Sequence, residues 1–196
     1  MQYYIYSLVC FLLPGTVWLI WNKGMIADKA YKVRHIIWIY IYLFYGYLAV
    51  QEAAGIGTIW DLIAYGKLDN SINLIPFSSE GAMTYILNII MFMPLGFLLP
   101  LIWKNFRNAK KVVLMGFLMS LAIEICQLFN IRTTDIDDLM MNTLGTLVGY
   151  CCWKVFSLIF RNAGTKCVEM KKSEPVIYMF GGILGVFLLY NWRVFN

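Results

Sequence analysis

GAMTYILNIIMFMPLGFLLPLIW, the stretch from Gly81 to Trp103, runs for 23 residues without an Asp, Glu, Lys or Arg. A hydrocarbon core about 30 Å thick is crossed by roughly 20 helical residues, so this stretch reads as a membrane-spanning helix. The rest of the chain repeats it. Residues 1–22, Ile36 to Gln51 and Pro175 to Trp192 are also uncharged, and Val112 to Asn130 and Leu139 to Phe160 are broken only by Glu124 and Lys154. Six runs predict a six-helix transmembrane bundle, an all-α integral membrane protein forming one domain over residues 1–196. No internal repeat or linker divides it.

Composition agrees. The 196 residues are 61% hydrophobic, 17% aromatic and 14% charged, far from the balance of a soluble domain. The net charge of +5 does not point to nucleic acid, because the basic residues lie between apolar runs rather than on one solvated face. Five cysteines, Cys10, Cys126, Cys151, Cys152 and Cys167, show no ligand spacing and read as small core residues, and no metal or cofactor is expected. The first run is read as a span and not a cleaved leader, since no basic stretch precedes it. Pro14 and Pro94 each remove a backbone bond and are expected to kink their helices.

Orientation follows from the cations. Lys23, Lys29, Lys32 and Arg34 fall in one loop, Lys104, Arg107, Lys110 and Lys111 in a second, and Arg161, Lys166, Lys171 and Lys172 in a third. With six spans these loops share one face, which the positive-inside rule makes cytoplasmic, leaving both termini outside. His35 then sits at a cytoplasmic helix end and reads as an interface residue, while the terminal aromatics Tyr3, Tyr4, Trp18, Trp21, Tyr190 and Trp192 read as interfacial belts. The outer segment 57–80 contains Thr58 with Asp61 three residues on, a capping box that opens a short surface helix ending near Gly66.

Polar residues inside the spans converge on the outer layer. At about 1.5 Å per residue, Asn88 lies about 10 Å below the outer end of its helix, Glu124 about 9 Å and Asn142 about 6 Å. Ser120 and Gln127 share a face with Glu124, and Asp138 stands four residues before Asn142. A carboxylate at membrane depth is costly and faces the bundle interior with a partner, and Arg132 is the cation in reach. In the turn before the fifth span, Thr134 with Asp137 is an N-cap pattern, and Asp135, Asp137 and Asp138 suit the first turn of a helix. Gly145 with Gly149, Gly181 with Gly185, and Gly116 with Ser120 are small-residue pairs for close helix packing.

These residues carry a resemblance. Asn88-x3-Phe92-x-Pro94-Leu95-Gly96-Phe97, then Ser120-x3-Glu124-x2-Gln127, then Arg132-x2-Asp135-x2-Asp138-x3-Asn142-x2-Gly145-x3-Gly149 is similar to the signature of VanZ-like membrane proteins, with Asn73-Leu74-Ile75-Pro76-Phe77 resembling their upstream motif. The likeness covers residues 73–149. It implies a multi-pass protein of the bacterial cytoplasmic membrane, in a family whose namesake is associated with resistance to the lipoglycopeptide teicoplanin.

The function expected from both lines is binding at an outer-leaflet polar pocket made by Asn88, Ser120, Glu124, Gln127, Arg132, Asp135, Asp138 and Asn142. Its partners would be membrane lipids and a lipid-linked cell-wall precursor or acylated glycopeptide, with Arg132 engaging an anionic group. Two other classes stay open. An intramembrane enzyme acting on a lipid or envelope head group would use Glu124 or Asp138 as general acid or base, or a divalent ion on Asp135, Asp138 and Glu124. A small proton-coupled transporter or flippase would use Glu124 and a Pro94 hinge, working as a homodimer through the last span.

Overall fold

The computed structural model describes residues 2–22, 24, 29–65, 72–78, 81–129, 134–160 and 171–195. The described residues are mainly helical, with α1 (Gln2–Asn22), α2 (Lys29–Tyr47), α3 (Ile59–Tyr65), α4 (Ala82–Ile102), α5 (Ala109–Gln127), α6 (Ile136–Ile159) and α7 (Glu174–Leu189). Two short strands, β1 (Ile72–Asn73) and β2 (Thr134–Asp135), pair in parallel just ahead of α4 and α6. Among the described residues three helices, α1, α2 with its extension to Gln51, and α4, are long and apolar enough to cross a membrane, and α7 is a shorter apolar helix. α5 and α6 are of comparable length but carry the acidic residues of the expected site.

The core is apolar, and so is much of the exterior. On α1, Ile5, Val9, Leu13, Val17 and Ile20 are exposed along one stripe while Ser7 and Gly15 are buried. Exposed Ile, Leu, Val or Phe side chains occur on all six long helices, whereas Ser120, Glu124, Gln127, Asp137, Asn142, His35 and Glu174 are buried. So much apolar surface is stable only against an apolar surrounding or a partner.

Two close packings build the core. α4 and α6 run parallel with backbone against backbone: a Cβ on Gly145 would overlap the Ile89 carbonyl, one on Gly149 that of Met93, and one on Gly96 that of Thr146. α5 runs antiparallel to α6 and packs against it, with Gly116 against the Thr146 side chain. α1 and α7 form the second pair, where Gly182 receives the Phe11 ring and Gly185 the Cys10 carbonyl. Of the expected small-residue pairs, Gly145 with Gly149 packs as read, but Gly181 meets only Pro14 at 3.4 Å and Gly182 takes its place. Both α1 and α4 run unbroken through Pro14 and Pro94.

α2 starts earlier than its uncharged run, since Lys29, Lys32 and Arg34 extend a helix end readily, and it finishes in a π-helical turn, Leu48–Ala54. The Gly55 N–H closes that turn on Val50 O at 3.0 Å, and Gly55 takes the left-handed φ of 65° that only glycine adopts without strain. The expected surface helix is α3, with the Asp61 carboxylate accepting from Thr58 N (2.7 Å) and Thr58 Oγ1 (2.8 Å).

At the opposite end from β1 and β2 the reading of His35 is corrected. His35 is buried, not interfacial, and its Nε2 lies 2.8 Å from Oε1 of Glu174 at the start of α7. Trp103 Nε1 donates to the other carboxylate oxygen (3.0 Å) and Tyr178 OH to the first (3.1 Å), so one acid joins α2, α4 and α7. The cysteine reading is half right: Cys10 and Cys126 are buried, Cys151 and Cys152 are exposed on α6, and Cys167 lies outside the described residues.

Candidate functional site

Local capping brings the polar residues together. The fifth run begins with Asp135 and not Thr134 as its N-cap: Asp135 Oδ1 accepts from Asp137 N at 2.9 Å, and the other carboxylate oxygen takes Asn73 Nδ2 at 3.1 Å. An N-cap side chain satisfies one of the four orphan N–H groups, and the following acids favour the positive end of the helix dipole. Asp137, fully buried, accepts the Phe77 N–H and the Tyr85 hydroxyl (2.8 Å). Both residues therefore tie the segment before α4 to the start of α6.

This anchorage sets the register of α6 and points Asp138 and Asn142 to one side. Asn88 Nδ2 of α4 donates a short hydrogen bond to Asp138 Oδ1, and Asn142 Nδ2 donates to Ser120 Oγ of α5 at 2.9 Å. Glu124, only 4% exposed, receives the Asp135 N–H on Oε2 at 3.1 Å, while its own carbonyl takes Thr134 Oγ1. Gln127 Nε2 donates to the Ala54 carbonyl at 3.0 Å, at the end of the π-helical turn.

Between these groups lies a cavity of about 470 Å³. Its walls are Ala53 and Ala54 after α2, Thr84, Leu87, Asn88, Ile90 and Met91 of α4, Ile123, Glu124 and Gln127 of α5, and Asp138 and Asn142 of α6. Five residues picked out in the sequence, Asn88, Glu124, Gln127, Asp138 and Asn142, thus share one space. Ser120 stands behind the wall and positions Asn142, and Asp135 acts as a cap. Arg132, and with it the expected pairing to Glu124, lies outside the described residues. Among the described residues no three His, Cys, Asp or Glu side chains come together as metal ligands would, so the grouping of Asp135, Asp138 and Glu124 around an ion does not occur.

Sequence reasoning missed Asp137 as a tether for Phe77 and Tyr85, and it missed Glu174. The signal for Glu174 was present as an acid at the very edge of an apolar run, beside the basic residues Lys171 and Lys172.

An apolar exterior, an apolar core and buried polar residues gathered around one cavity define an α-helical membrane protein with an internal polar cavity. The VanZ/LLP1 family profile matches residues 5–157, taking in α1 and α2 as well as the motif-bearing helices. The chain also aligns with Protein VanZ of Enterococcus faecium at 34% identity over 134 residues, 67% of this chain and 77% of that protein. It belongs to the VanZ/LLP1 family. No solved structure matches it.

Proposed function

We propose that this protein spans the bacterial cytoplasmic membrane six times, with both termini outside, and binds a lipid-linked or acylated amphiphile in its cavity from the outer leaflet. By this binding it confers or modulates resistance to teicoplanin-type lipoglycopeptides. The observation that carries the reading is the cavity itself: Glu124, Gln127, Asp138, Asn142 and Asn88 meet inside a bundle whose outside is apolar. A polar hollow with apolar rim residues suits a ligand with a polar head and an alkyl tail. The exposed apolar side chains on all six long helices support six crossings, and the segregation of the basic loops supports the orientation.

The test is susceptibility of a sensitive Gram-positive host to teicoplanin and to vancomycin. Wild type, Glu124→Gln and Arg132→Ala would be expressed at matched membrane levels. Wild type is expected to protect selectively against teicoplanin and both variants to lose that protection. No protection by wild type would detach the resistance role from this chain, and full protection by both variants would detach it from the cavity.

A further inference from the structure

We propose that the turn at residues 74–77 is a lipid-binding wedge, its side chains inserted among the acyl chains of the leaflet where α4 and α6 begin. This goes beyond the cavity reading and needs only a chain that spans the membrane. The turn is made of Leu74, Ile75, Pro76 and Phe77, and Leu74, Ile75 and Phe77 are 70%, 68% and 64% exposed. Turns that face water favour Gly, Asn, Asp and Ser at the tip. Here the polar residues, Asn73 and Ser78, stand at the base instead.

That base leaves the tip with no need of water. The Ile75 N–H donates to Asn73 Oδ1 at 3.1 Å, Pro76 has no N–H, and the Phe77 N–H donates to the buried Asp137 carboxylate at 2.8 Å. Ser78 Oγ donates to the Ile75 carbonyl at 2.7 Å and accepts from Asn73 Nδ2 at 3.0 Å. Ile75, Pro76 and Phe77 therefore keep no main-chain donor for solvent, the condition a backbone must meet in hydrocarbon. Phe77 holds its left-handed φ of 61° with its ring edge-on to Tyr85 of α4, centroids 6.0 Å apart. Strain of this kind persists only where the surroundings over-determine it.

What covers the tip follows from what it continues. Phe77 heads an apolar groove of about 620 Å³ between α5 and α6, which passes Phe117, Met140 and Leu144 and reaches Leu147. The stretch of α6 from Ile136 to Leu147 rises about 16 Å, so the groove lies along the helix as an acyl chain would. Thr143 supplies the one polar side chain among the described residues lining it, and its Oγ1 donates back to the Leu139 carbonyl at 2.7 Å. On α4 the exposed apolar surface resumes at Met83, Ile86 and Leu87. The tip is thus the end of an apolar exterior shared by two helices. A protein partner would be oriented by a polar rim with hydrogen bonds, and the tip offers no main-chain donor for one. Because Asp135 and Asp137 fix the turn to the start of α6, the wedge also sets the depth at which Asp138 and Asn142 meet the leaflet.

The test places the photoreactive residue p-benzoylphenylalanine at Ile75, and separately at Leu74, in the full chain reconstituted into phosphatidylcholine vesicles. Mass spectrometry then reads what each probe has joined, with the same probe at Ile86, exposed on α4, as a position in hydrocarbon. Lipid adducts on acyl-chain carbons should form at the turn as they do at Ile86, and one at either turn position supports the wedge. Adducts confined to the choline head group, or none at either turn position while Ile86 is labelled, would place the turn in water and overturn the proposal. A crosslink to a second copy of the chain in place of lipid would make the turn a dimer contact and overturn it too. Loss of lipid adducts at all three positions would overturn the wedge together with the lipid exposure of α4.

Discussion

Asp137 holds Phe77 in place: its carboxylate oxygens lie 2.8 and 3.0 Å from the Phe77 nitrogen, and Phe77 has a φ of 61°, unusual for a residue with a side chain. A fully buried acid at the head of α6 thereby fixes a strained turn at the foot of α4, 60 residues earlier. Removing the carboxylate strands two donors at once. Asp137→Ala should lower unfolding stability by about 3 kcal/mol and Tyr85→Phe by about 1 kcal/mol. Thermal unfolding in detergent reads both, and an Asp137→Ala protein as stable as wild type would refute the tether.

The seam between α4 and α6 admits no side chain. Gly145→Ala and Gly149→Ala would each drive a methyl into a backbone carbonyl, and each should cost about 1–3 kcal/mol, the usual penalty of overpacking. Gly181→Ala meets only Pro14 at van der Waals distance and should change stability by less than about 0.5 kcal/mol. Denaturant midpoints of the three variants compare them directly, and equal effects would mean the seam gives way.

Glu174 should matter more than His35. Glu174→Ala leaves the donors of His35, Trp103 and Tyr178 without their acceptor and should cost about 3–5 kcal/mol. A double-mutant cycle with His35→Ala should return a coupling of about 0.5–3 kcal/mol. Strict additivity would show that the pair contributes nothing beyond its parts.

Topology has a direct readout at two glycines. A Cβ on Gly24 or on Gly81 meets nothing within 4 Å, so cysteine is accommodated at either. Gly81→Cys should react with an impermeant maleimide in intact cells, and Gly24→Cys only after the membrane is opened. The reverse pattern would invert the proposed orientation.

The helices were legible because charge punctuates the apolar runs so cleanly: each long helix covers its run to within a few residues, except that α2 begins seven residues early, at Lys29. The cavity was legible for a related reason. Glu124, Asn88 and Asn142 are costly in hydrocarbon, so each had to turn inward, and equal depth brought them to one layer. What sequence could not give was partnership at long range. Glu174 meets His35 across 139 residues, and nothing in the spacing of either names the other. The N-cap was misplaced by one residue because Thr134 and Asp135 are both good caps, and the choice fell to β1, whose Asn73 takes the second oxygen of Asp135.

The parallel contact of α4 with α6 also decides where this protein can diversify. Where main chain lies directly on main chain, no side chain is present to be exchanged for a larger or smaller one, so the spacing of the two helices is closed to tuning by mutation. The cavity walls, by contrast, are side chains of α4, α5 and α6 and of the π-helical end of α2, none of them a seam glycine. The lining can therefore change while the distance between the helices that carry it stays fixed.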